Sequence, residues 1–126
     1  MKPAYLLDSA ILIDHLRGVA AATRWLGKLR DGEAVISVIT RAEVLAGGSS
    51  DEWAAAFALC EQFDCLPLTG LIADRAAKLR RAHRWKLPDA FQAALAMDEG
   101  LRLVTRNSRD FDEKEHPFVF VPYHIR

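Results

Sequence analysis

Short apolar runs alternating with longer amphipathic ones set the pattern of this chain. Residues 5–7 (Tyr-Leu-Leu) form a strand-like run that stops at Asp8, and Ser9 supplies an N-cap for a helix that reaches Leu16 and ends near Gly18. From residue 20 to 29, Ala21, Ala22, Trp25, Leu26 and Leu29 recur at helical spacing, and Asp31-Gly32 turns the chain into a second strand at residues 34–36. Ser37 and Thr40 are both candidate caps for the next helix, which carries Glu43 and ends at Gly47-Gly48. Ser50-Asp51 begin another helix, reaching Phe63, and residues 65–68 read as a third strand. A helix over residues 71–85 places Ile72, Ala76, Leu79 and His83 on one stripe and basic residues on the others. Pro88-Asp89 open a helix that is nearly all apolar over residues 90–97 and stops at Gly100. Strands at residues 103–104 and 118–121 follow, the last bounded by Pro117 and Pro122.

Apolar strands separated by helices predict an α/β fold of three layers, a mainly parallel sheet of about five strands with helices on both faces. Ligands of such sheets gather outside the carboxyl ends of the strands. At 126 residues and 51% hydrophobic, the chain fits one domain over residues 1–126, with a core of useful size. Seventeen Lys and Arg offset seventeen Asp and Glu, so local clustering rather than total charge has to indicate a partner. Cys60 and Cys65 have neither the number nor the spacing of a disulfide framework or zinc site and read as reduced core residues. The first apolar stretch is broken by Asp8 and Asp14, which leaves no signal-peptide core and no membrane span, and predicts a cytoplasmic protein.

Four acids then stand out by position. Asp8 and Asp110 lie beside strand ends, while Glu43 and Asp89 occupy early turns of helices, so all four can face one edge of the sheet. Carboxylates gathered from distant parts of a chain repel one another unless a cation or a proton offsets them. Hard oxygen donors suit Mg²⁺ or Mn²⁺. Such an ion lowers the pKa of a bound water and stabilises charge on the oxygens of a phosphodiester under attack. Glu43 shares a helical face with Ile39 and Ala46, which directs its side chain toward an otherwise apolar surface. Plainer readings stand beside this one: a turn acid at Asp8, an ion pair for Glu43 and a first-turn acid at Asp89. Asn107 and Asp110 are alternative fourth members, one a neutral oxygen donor near the strand end and the other a charge. None of His15, His83, His116 and His124 has metal-site spacing to these acids, and neither a nucleophile elbow nor a phosphate-binding glycine loop occurs. Arg75, Lys78, Arg80, Arg81, Arg84 and Lys86 cluster ahead of Asp89, with Trp85 interleaved, and Arg106 and Arg109 add charge near the acids. Bases that track phosphates, with an aromatic ring available for stacking, fit single-stranded nucleic acid; a solvated helix face is the plainer reading.

Leu-Leu-Asp-Ser at residues 6–9, Ile-Ser-Val-Ile-Thr-Arg-Ala-Glu-Val at 36–44, Leu-Pro-Asp-Ala at 87–90 and Leu-Val-Thr-Arg-Asn-Ser-Arg-Asp-Phe at 103–111 stand in this order and spacing. In them the chain resembles the PIN-domain nucleases, specifically the VapC-like toxins of bacterial and archaeal toxin–antitoxin pairs, and the resemblance spans nearly its whole length. It implies a PIN-like fold and a Mg²⁺- or Mn²⁺-dependent endoribonuclease. It also implies a homodimer, neutralised by an antitoxin whose tail enters the active-site groove. Asp8, Glu43 and Asp89 match three family acids. A fourth often stands where this chain has Asn107, for which Asp110 is the candidate substitute. Ser9 and Thr105 match positions where a hydroxyl supports the acidic cluster.

Two other functions share the acids. A phosphatase with an aspartate nucleophile after the first strand usually needs a second aspartate two residues on, where this chain has Ala10. A catalytically silent module could keep the acidic pocket only to engage a protein partner.

Overall fold

The computed structural model describes residues 2–125. Its elements run β1 (Tyr5–Leu7), α1 (Ser9–Leu16), α2 (Ala20–Gly27), β2 (Ala34–Ser37), α3 (Val38–Ala46), α4 (Trp53–Cys60), β3 (Asp64–Leu66), α5 (Gly70–His83), α6 (Leu87–Glu99), β4 (Arg102–Val104) and β5 (Val119–Phe120). The strands form one sheet in the order β3-β2-β1-β4-β5, and every neighbouring pair is parallel.

Alternation along each strand sends successive side chains to opposite faces. Leu6, Val35, Leu103 and Val119 pack with Ile72 and Ala76 of α5 and the alanines of α6. Leu7, Ile36 and Val104 pack with Ile11 and Leu12 of α1, Val44 of α3 and Ala56, Leu59 and Cys60 of α4. Both faces are thus covered, which is why the strands carry continuous rather than alternating apolar residues. In α6, Ala90, Ala93, Ala94 and Ala96 are all buried. Their small side chains let this helix lie close to both α5 and the sheet.

Several boundaries differ from those the sequence predicts. The cap of α1 is Asp8 itself, whose Oδ1 accepts from the Ser9 backbone N–H at 2.9 Å. Ser37 rather than Thr40 caps α3. Residues 50–52 form a 3₁₀ turn under a Ser49–Glu52 capping box, and α4 starts only at Trp53 and ends at Cys60. The third strand lies at Asp64–Leu66, because its register is set by pairing with β2 rather than by its own apolar run. Helix α5 ends at His83, and Arg84 adopts φ 60°, a left-handed turn that redirects the chain. Trp85 is thereby buried, 4% exposed, with its ring against His83, Phe111 and His116. It is not the stacking platform for a base that the sequence suggested.

Candidate active site

In this strand order the chain runs outward from β1 to β2 and β3, then crosses back to β4 and β5, so the topological switch lies between β1 and β4. Asp8 sits in that crevice. Its backbone N–H donates to the Val104 carbonyl at 2.9 Å, continuing the ladder past the strand end. The carboxylate is held at both oxygens, Oδ1 by the Ser9 N–H and Oδ2 by the Thr105 hydroxyl at 2.8 Å. The Thr105 hydroxyl in turn accepts from the Asn107 backbone N–H at 3.0 Å, which fixes the direction of its own proton.

Beneath Asp8 lies a closed polar network. Ser37 Oγ donates to Gln92 Oε1 at 2.7 Å, Gln92 Nε2 donates to Thr40 Oγ1 at 2.7 Å, and the Thr40 hydroxyl donates to the Leu7 carbonyl at 2.9 Å. Ser37, Thr40 and Gln92 are all buried. The network ties the ends of β1 and β2 to α3 and α6, the helices that carry Glu43 and Asp89, and Gln92 also favours the charged form of Asp8 by hydrogen bonding.

Electrostatics link the acids. Burial pushes the Asp8 carboxyl above the usual carboxylate range, against the hydrogen bonds from Thr105 and Ser9. Asp89, in the first turn of α6, is pushed up to about 6, first by burial and then by repulsion from Asp8, Asp110 and Glu43. Glu43 is raised by desolvation and by Asp8, while the Ser9 side chain lowers it. The Glu43 residue is exposed rather than turned into an apolar surface, because Thr40 and Val44 take the buried face of α3. Among the described residues no three His, Cys, Asp or Glu side chains converge as a ready ligand cage. The donor set is nevertheless all oxygen and mutually repelling, which fits Mg²⁺ or Mn²⁺, ions that take one or two carboxylates directly and keep several waters.

Asp110 is close enough to raise Asp89. Its carboxylate accepts from Asn107 Nδ2 at 3.1 Å, and its backbone N–H donates to Asn107 Oδ1 at 3.3 Å. Asn107 therefore holds Asp110. The basic candidates divide. Arg81, Arg84 and Arg109 are exposed. Arg80 spends one N–H on the Trp85 carbonyl at 2.6 Å, and the Arg106 guanidinium grips Asp14 through two bonds of 2.6 and 3.0 Å. Gln92, Asp14, Tyr123 and the anchoring role of Trp85 escaped the sequence reading. Gln92 left one signal, as the single polar residue between Ala90 and Met97.

A parallel five-stranded sheet with acids at its switch point defines a class of α/β domain, and the chain belongs to the PIN domain family, whose pattern matches residues 5–117. It is similar to Ribonuclease VapC10 of Mycobacterium tuberculosis, with 40% identity covering 94% of this chain and 96% of that protein. Among solved structures, it resembles a chain of a toxin-antitoxin complex from Klebsiella pneumoniae, with a TM-score of 0.88, 33% identity and coverage of 97% of this chain and 100% of that one. FitAcB from Neisseria gonorrhoeae shares the fold, with a TM-score of 0.76 at 23% identity over 96% of this chain and 99% of the other.

Proposed function

We propose that this chain is a metal-dependent endoribonuclease and the toxin of a toxin–antitoxin pair. The observation that carries the reading is the coupled set of acids at the switch point, with Asp89 pushed up to about 6 by burial and by Asp8, Asp110 and Glu43. A structural ion pair would have lowered these groups instead. The M. tuberculosis ribonuclease and the K. pneumoniae complex support the substrate class and the pairing with an antitoxin. Asp8, Glu43 and Asp89 would hold Mg²⁺ or Mn²⁺, with Asp110 adding charge. The ion supplies an activated water and offsets charge at the phosphorus. The protein's part is to aim the acids and offset part of the cost of burying their charge: Ser9 N–H and Thr105 fix Asp8, and the Ser9 side chain favours charged Glu43. Action on cytoplasmic RNA and assembly as a homodimer complete the reading. Among the described residues no helix is long and apolar enough to cross a membrane.

Purified protein is expected to cleave single-stranded RNA with Mg²⁺ or Mn²⁺ and to stop on chelation; a chelator-resistant activity, or none in the presence of either ion, overturns the proposal. Within the site, Asp110→Ala should weaken cleavage more than Asn107→Ala in a Mg²⁺ titration, because Asn107 acts by holding a charge that Asp110 itself carries. The opposite order would make Asn107 the ligand.

Among the arginines proposed to meet RNA, Arg81, Arg84 and Arg109 are exposed and enter no described side-chain bond. Replacing all three with Ala should flatten the plot of log affinity against log salt by about 2, at roughly 0.7 per single-strand phosphate contact. An unchanged slope would move the RNA path elsewhere.

A further inference from the structure

The most heavily bonded acid outside the site is Asp14. It lies in the second half of α1 and is 4% exposed. Its Oδ2 accepts from Arg106 Nε at 2.6 Å and from the Tyr123 hydroxyl at 2.8 Å, and its Oδ1 accepts from Arg106 Nη2 at 3.0 Å. A two-pronged Arg–carboxylate pair fixes orientation as well as distance, and a buried carboxylate stripped of such partners is costly. The three members of the cluster come from three separate stretches of chain: α1, the turn after β4 and the segment after β5.

What makes this cluster more than a staple is its neighbour. Arg106 follows Thr105, whose hydroxyl holds Asp8 and accepts from the Asn107 N–H. The turn after β4 therefore grips α1 at two points, Thr105 at the Asp8 cap and Arg106 at Asp14. If the second grip is released, the turn can rotate about the first, and the Thr105 hydroxyl loses its fixed direction. Asp110 moves with the turn, since Asn107 carries it.

We propose that Asp14, Arg106 and Tyr123 form a positioning clasp that sets the Thr105–Asn107 turn against Asp8, and that Arg106 serves the site through this turn rather than by contacting RNA. The catalytic part of this inference rests on the ribonuclease reading above; the structural part does not. Lysine at position 106 keeps the charge but cannot form the fork, and Tyr123→Phe removes one hydroxyl with little change in packing.

The test combines Asp14→Asn, Arg106→Lys, Arg106→Gln and Tyr123→Phe. In metal-free protein followed by NMR, hydrogen exchange at the Asn107 amide should speed at least tenfold in Asp14→Asn and Arg106→Lys, and by a smaller factor in Tyr123→Phe. The Leu95 amide of α6 is the reference for global opening, and its exchange should change less. In cleavage assays kcat should fall about tenfold with KM within about twofold, and the Asp14→Asn/Arg106→Lys double variant should be no worse than either single change, as expected for residues acting as one unit. Exchange that rises equally at Asn107 and Leu95 would reduce the clasp to general stability and overturn the proposal. So would an Arg106→Gln protein whose RNA-binding salt slope falls by about 0.7, the mark of one lost single-strand phosphate contact. Should the parent fail to cleave RNA, the ribonuclease reading falls, while the exchange comparison still decides whether the clasp holds the turn.

Discussion

Asp8→Asn and Asp89→Asn are each expected to reduce metal-dependent RNA cleavage by about 10³-fold, the scale set by losing several kcal/mol of charge stabilisation at the reacting phosphate. The fold should survive both changes. Asparagine caps a helix about as well as aspartate, so the Ser9 N–H keeps its acceptor at position 8. At position 89 the substitution also removes repulsion from Asp8, Asp110 and Glu43. A carboxyl raised from 3.8 to about 6 in the folded protein contributes most to stability when protonated, and that contribution is lost as pH rises through about 6. Metal-free Asp89→Asn should therefore melt higher than the parent at pH 7, with the difference vanishing near pH 4. Circular dichroism melts across that range, beside cleavage assays, check both halves. An Asp8→Asn protein that cleaves RNA at the parental rate would sink the assignment of the site.

The second large effect is expected away from the acidic cluster. Trp85→Ala should lower stability by about 3–5 kcal/mol, the usual cost of deleting a large buried aromatic side chain. The indole stacks on His83 at 4.2 Å between centroids, lies 4.8 Å from Phe111 and 5.2 Å from His116, and donates from Nε1 to the Asp110 carbonyl at 3.2 Å. It joins the end of the basic helix to the loop that carries Asp110. Trp85→Phe keeps most of the stack and loses the N–H bond, so it should cost about 1 kcal/mol for that bond, plus a smaller packing term. Urea unfolding measures both. Because the ring is buried, Trp85→Phe should also leave RNA affinity unchanged; a severalfold loss would return the indole to the RNA surface.

Trp85 also shows where a linear reading stops. A tryptophan among arginines looks like a stacking platform, and only the left-handed turn at Arg84 and the arrival of Phe111 and His116 from much later in the chain put it inside. Arg106 is a similar case, since the carboxylate that claims it, Asp14, is 92 positions away. By contrast β1, β2 and β4 were legible because each is a compact apolar run, and the regular core spacing in α5 and the Pro-Asp start of α6 marked those helices. That the acids at positions 8 and 89 lie at element boundaries was legible because each interrupts an apolar run. Glu43 was placed correctly along α3 but not in depth, because Thr40, a polar residue, occupies the buried face. Its hydroxyl is satisfied by the Leu7 carbonyl and by Gln92, partners that spacing along one helix cannot reveal.

The pairing of β1 with β4 joins Tyr5 to Arg102, and the Thr105–Asp8 bond spans 97 positions. Contacts that distant close last, since the entropy of a long loop has to be met before they form. While the chain is being made on a ribosome, Asp8 emerges almost at once, but the strand beside it and the hydroxyl that aims it are still unsynthesised. Through most of its own translation the growing polypeptide thus lacks the partners that fix this carboxylate, and only a chain that has emerged beyond Thr105 can complete the cluster.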